Sequence, residues 1–260
     1  MPTLAIVLGL MLWGQLGSAQ SPNPSSKLEF EVATVRAAKP DEPGGGIRPL
    51  PGGQTYTAKN VPVALMIRLM FHLTPNQISG GPGWINTDRW DVDAKAEHPA
   101  SLDDLHIMFQ NLLIERFNIK FHHETKELSV YALVCDKGGS KMQPNTGPDP
   151  YDIPIQGAGR GKLVGKRVPM SYLTWFLAGL PWIGRPVLDK TGLTGFYDFN
   201  FEFMPPQVIA PGSPETDVGP GAEGPSFFTA VREQLGLRLE PEKGPVEIMV
   251  IDSIQKPTEN

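Results

Sequence analysis

The sequence predicts an α+β fold built from two tandem copies of one unit, strand-helix-strand-helix-strand-strand. Its sheets are expected to be mainly antiparallel, with helices on one face. Three observations predict this. YTAKNVPVALMIRLMF (Tyr56–Phe71) aligns with LVGKRVPMSYLTWFLA (Leu163–Ala178) at a constant offset of 107 residues, which also lays Trp90-Asp91 on Tyr197-Asp198. ERFNIKFHHE (Glu115–Glu124) matches EQLGLRLEPE (Glu233–Glu242) at an offset of 118. In both stretches, period-two and helical spacings follow one another in the same order.

The chain opens on MPTLAIVLGLMLWGQLGSAQ, where the apolar run Leu4–Trp13 is too short to span a bilayer. Gly17 and Ala19 supply small residues before a cut at Gln20, so residues 1–19 read as a secretory signal peptide. The segment has no Lys or Arg, which leaves an uncleaved anchor as the alternative. Residues 20–29 read as a flexible linker, and FEVATV (Phe30–Val35) as an early strand outside both copies.

The first unit is placed at 30–142 and the second at 161–256. A loop or linker at 143–160 separates them, a long Pro- and Gly-rich loop at 205–225 interrupts the second, and 257–260 form a tail. Pro62 and Pro169 fall in the first turn of the first helix of each copy, where a missing N–H costs nothing. The next helix of copy one starts at Ser101, whose Ser-Leu-Asp-Asp fits a capping pattern. Leu102, Leu105, Phe109, Leu112 and Leu113 then form an apolar stripe. Its partner starts at Ser226 and carries Phe227, Val231 and Leu235. The two helices end at Asn118 and Gly236, residues that tolerate the left-handed conformation of a helix C-terminus.

The strands alternate. Tyr197, Phe199, Phe201 and Phe203 oppose Asp198, Asn200 and Glu202, and Trp90, Val92 and Ala94 oppose Asp91, Asp93 and Lys95. Such alternation predicts sheets packed on one side and wet on the other. A net charge of −5 without a basic run gives no footprint for nucleic acid and disfavours anionic membranes. No segment after the signal is apolar for long enough to span a membrane. Cys135, the only cysteine, cannot form an internal bridge and reads as a buried thiol in VYALVC.

The motifs that carry chemistry elsewhere are incomplete here. Asp189-Lys190-Thr191-Gly192 begins like the phosphorylated stretch of ion pumps, but continues Leu-Thr-Gly and reads as a turn. Gly157–Lys162 lacks the first Gly and the final Ser or Thr of a phosphate loop and reads as a flexible loop. His122 and His123 point to opposite faces of a strand, and no His or Cys spacing calls for a metal or any other cofactor. The wet carboxylates Asp91, Asp198 and Glu202 are the candidates for acid and base chemistry. Trp84 and Trp182, in or beside loops, are the candidates for ligand contact.

FEVATVRAAKP, YTAKNVPVALMIRLMF, QISGGPGWINTDRWDVDAKA, LLIERFNIKFHHETKELSVYALV, RPVLDKTGLTGFYDFNFEF and EQLGLRLEPEKGPVEIMVIDSIQKPTEN come in this order. Together they resemble an exported domain-of-unknown-function family abundant in acidobacterial soil bacteria, some members of which are joined to BlaR/MecR-type sensor peptidases. The resemblance implies export to the periplasm or cell exterior and supplies no catalytic residue. Each half is also similar in architecture to the short domains at the start of secretins and TonB-dependent receptors. The expectation is a non-catalytic exported binding or interaction module, with a protein or glycan of the cell envelope as partner. The alternative is an envelope or polysaccharide hydrolase using Asp91, Asp198 or Glu202.

Overall fold

The computed structural model describes residues 27–39, 45–149, 152–205 and 224–258. The expected signal peptide, most of the 20–29 linker and most of the 205–225 loop lie outside the described residues. In chain order the elements are β1 (Val32–Ala37), β2 (Ile47–Pro49), β3 (Thr55–Pro62), α1 (Val63–Met70), β4 (Ile78–Gly80), α2 (Trp84–Thr87), β5 (Arg89–Lys95), α3 (Leu102–Arg116) and β6 (Lys120–Cys135). They continue with β7 (Gln143–Pro144), β8 (Ile155–Gly157), β9 (Lys162–Pro169), α4 (Met170–Ala178), β10 (Val187–Asp189), β11 (Phe196–Glu202), α5 (Phe227–Ala230) and β12 (Leu237–Ser253).

These elements make an α+β fold with three four-stranded sheets. Two are wholly antiparallel and have the orders β1-β5-β3-β2 and β7-β11-β9-β8. β3 and β9 begin and end 107 residues apart, and so do β5 and β11. The early strand, expected to stand outside the recurring pattern, has a counterpart in β7: Arg36 faces Asp91 across β1–β5, and Gln143 faces Asp198 across β7–β11. The stretch 143–160, expected as loop, thus contains β7 and β8, and the expected linker residue Leu28 is docked, its carbonyl accepting from Asn111 Nδ2 at 2.9 Å.

Helices cover the apolar face of each of these sheets. Pro62 and Pro169 cap α1 and α4 at φ −72° and −76°, one position earlier than expected. Proline therefore closes the strand ladder and starts the helix without leaving an orphan donor. Ser101 caps α3, accepting the Asp104 N–H, and Ser226 caps α5 in the same way through Thr229. All five residues of the predicted α3 stripe are buried. α5 is shorter than expected and runs into a π-helical turn, Val231–Leu235. Asn118 (φ 45°) and Gly236 (φ 67°) both take the left-handed conformation past their helices. The first core gathers Val63, Met66, Ile67 and Phe109, and the second gathers Leu173, Leu177, Phe201 and Phe227.

The third sheet joins the halves. The strand pair expected at the end of each unit is one continuous strand: β6 and β12 run antiparallel from Lys120↔Ser253 to Cys135↔Leu237, with one register shift between Ile251 and Ser253. β6 holds no Gly or Pro to interrupt it. β12 tolerates Pro241 and Pro245 because only β6 pairs it there, so the missing N–H faces an open edge. β4 adds to β12 and β10 to β6, both parallel. Each long strand serves both cores: β12 places Met249 and Ile251 in the first and Leu237 and Leu239 in the second, while β6 packs Phe121 against the first and places Leu133 in the second. No helix among the described residues is long and apolar enough to cross a membrane.

Candidate functional site

Asp91 is not wet. Its side chain is fully buried (0% exposed), receiving Arg36 Nη2 on Oδ2 at 2.7 Å and the Asn60 N–H on Oδ1 at 2.9 Å. Asn60 lies at φ 50° in a bulge of β3, which turns its N–H out of the ladder. A carboxylate supplies the missing acceptor, so Asp91, still opposite Trp90 and Val92 on its strand, is buried against Arg36 and Asn60 instead of facing water. Asp198 repeats the arrangement at Arg167, also at φ 50°, accepting its N–H at 2.8 Å. Asn145 Nδ2 donates to it at 2.8 Å and Lys166 Nζ at 3.1 Å. Partial burial pushes this carboxyl up, but those three donors outweigh it and hold it below the usual carboxylate range. Glu202 is exposed and paired with Lys162 at 2.8 Å. Asp91 belongs to the first sheet, and Asp198 and Glu202 to the second.

The two tryptophans are likewise kept apart. Trp84 begins α2 instead of lying in a loop, stacks on Phe117 at 6.4 Å and carries Lys256 over its ring at 5.6 Å. Trp182 packs against Phe203 and Phe227, each at 5.7 Å, in the other core. Asp189 is a turn residue, its Oδ1 accepting the Thr191 N–H at 2.9 Å and hydroxyl at 2.7 Å. Gly157–Lys162 is a hairpin turn between β8 and β9 with Gly159 and Gly161 at positive φ, not an irregular loop. Cys135 is only half-buried. His122, held by Asp252 at 2.9 Å and Glu124 at 3.5 Å, has its pKa raised by those carboxylates. Among the described residues, no three His, Cys, Asp or Glu side chains are grouped to hold a metal ion.

What the fold does bring together lies where the two helical layers meet. A shallow, partly open cleft is lined by Asp103 at the start of α3 and by Asp152, Lys166, Arg167, Tyr172 and Phe196 of the second half. Arg167 stacks over Phe196 at 3.7 Å and donates from Nε to the Gly147 carbonyl at 2.9 Å. Tyr172 also belongs to a buried cluster. Tyr56 and His106 share a 3.0 Å hydrogen bond, the His106 ring is 5.2 Å from His72, and His72 is 5.0 Å from Trp175 and 6.2 Å from Tyr172. His106 is 6% exposed, and neither its Nδ1 nor His72 Nε2 has a partner. Burial, reinforced by His72, pushes His106 down to about 3, and burial lowers His72 as well. Tyr172 is pushed up to about 12 by burial.

Sequence reasoning missed this cluster, although a signal existed. His106 stands between Leu102 and Phe109 on the apolar side of α3, so a polar ring was due inside the core.

A family model described as a protein of unknown function (DUF3738) matches residues 64–254, well over half of the chain. The chain belongs to this family. The DUF3738 match runs from α1 to just past β12, so the family unit takes in both helical layers, both long strands and the cleft between them. Neither a curated protein nor a solved structure matches the chain.

Proposed function

We propose that this DUF3738 protein is an exported, non-catalytic binding or interaction module whose ligand, a protein or glycan of the cell envelope, seats in the cleft between the helical layers. The observation that carries the reading is the employment of the carboxylates. Asp91 and Asp198 each spend their oxygens on the N–H of a left-handed bulge residue, while the cleft presents charge of both signs beside aromatic rings. Export rests on reading residues 1–19 as a secretory signal, with an apolar run followed by small residues at 17 and 19.

We also infer that the two halves are tandem copies of one unit whose last strands were exchanged, the second copy beginning at β7 and not at the expected residue 161. Support comes from the shared strand order, the common offset of β3/β9 and β5/β11, and the paired bulges at Asn60 and Arg167. The test of the binding reading is affinity capture from the native envelope with wild type and with Lys166→Glu, which reverses charge at the cleft. A partner retained by wild type and lost by the variant is expected. Capture of nothing, or equal capture by both, refutes the reading.

A further inference from the structure

We propose that the His72–His106 pair, half-buried and buried respectively, is an acid-sensitive latch: protonation of the imidazoles parts the α1–α3 layer from α4 and widens the cleft. The geometry carries it. The two rings are 5.2 Å apart, each keeps a ring nitrogen without a partner, and His72 touches Tyr172 and Trp175 of the opposite half. Two cations this close inside an aromatic cluster repel one another and lack water, whereas either imidazole is hydrated once the layers separate.

The titratable and charged groups facing the pair are Tyr56 from β3, Tyr172 from α4 and Asp103 from α3. Asp149, Asp152, Lys166 and Arg167 line the cleft that Tyr172 shares. Asp103 favours the charged form of His72, but burial outweighs it, so the closed state excludes the proton at neutral pH. Because the open state binds a proton with ordinary imidazole affinity, the opening constant rises about tenfold per pH unit for each imidazole that titrates. Tyr172 belongs to both the cluster and the cleft wall, so the latch acts on the site of the proposed binding function and its biological role rests on that reading.

The test is hydrogen exchange of the full chain at pH 7.5 and 4.5, corrected for the intrinsic rate. Peptides over 66–74, 102–110 and 170–178 are expected to lose protection at least tenfold at the lower pH while β6 and β12 stay protected. The double variant His72→Phe/His106→Phe is expected to keep its junction closed. If that variant does not fold, His106→Gln with His72→Phe replaces it, since glutamine retains a partner for Tyr56. A junction that stays protected, that opens only together with β6 and β12, or that opens equally in the variant overturns the latch. No ligand enters this experiment, so its failure leaves the binding reading standing, and a failed capture leaves the latch standing.

Discussion

Replacing Asp91 by alanine removes a carboxylate that is wholly buried and answers two donors, the Arg36 guanidinium and the Asn60 N–H. Breaking a buried pair by deleting one partner costs about 3–5 kcal/mol. Arg36 is nearly half exposed and can be rehydrated, which places the cost near the lower end. The Asn60 N–H stays pointed into the void, because its φ of 50° is set by the bulge. The expected loss is therefore about 3 kcal/mol, or a fall in Tm of about 6–12 °C for a chain of this size. Asp198→Ala is expected to cost about half as much, because that side chain is 26% exposed and Lys166 can turn to water. Urea titration followed by circular dichroism measures both. A loss below about 1 kcal/mol for Asp91→Ala, or a greater loss for Asp198→Ala, would refute the view that these aspartates anchor the bulges.

Acid weakens the fold through His106. Its native pKa of about 3 lies below the ordinary 6.5, so the unfolded chain takes up the proton first and stability falls as pH drops from 6.5 toward 3. Between pH 7.5 and 5 that amounts to about 2 kcal/mol, and urea titrations at the two values should show His106→Phe losing less than wild type by about that amount. At the helix ends, Gly236→Ala should cost more than about 2 kcal/mol, because a Cβ there would lie 2.1 Å from the Gly139 carbonyl oxygen at a φ of 67°. Asn118→Gly should be neutral or gain about 0.5 kcal/mol in the same urea titration. Trp182→Ala is expected to cost about 3 kcal/mol in stability with capture of the partner unchanged, since its ring packs on Phe203 and Phe227 and lines no part of the cleft.

Local signals were the legible ones. Ser101 and Ser226 announced helix starts, Asn118 and Gly236 helix ends, and the alternation of Phe196–Phe203 the buried face of its strand. What escaped were relations between distant residues. Nothing in FEVATV says that it pairs with 89–95, and nothing in Gln143-Pro144 says that two residues can repeat that role. Period two placed Asp91 on the outside, but the bulge at Asn60 needed an acceptor from a neighbouring strand, a demand no local pattern encodes. The exchange of β6 and β12 between the cores was hidden because their pairing joins residues more than a hundred positions apart, a relation no local pattern encodes. The histidine cluster draws on four elements, β3, α3, α4 and the end of α1, so only the fold brings its members together.

The cleft is the place to look. A photoreactive phenylalanine analogue at Asp103, on the cleft wall, and another at Asn200, on the exposed face of β11, offer the same chemistry to two surfaces of one molecule. Irradiated in the native envelope, the first should yield a discrete adduct and the second none. Adducts from both positions, or from neither, would contradict the assignment of binding to this junction.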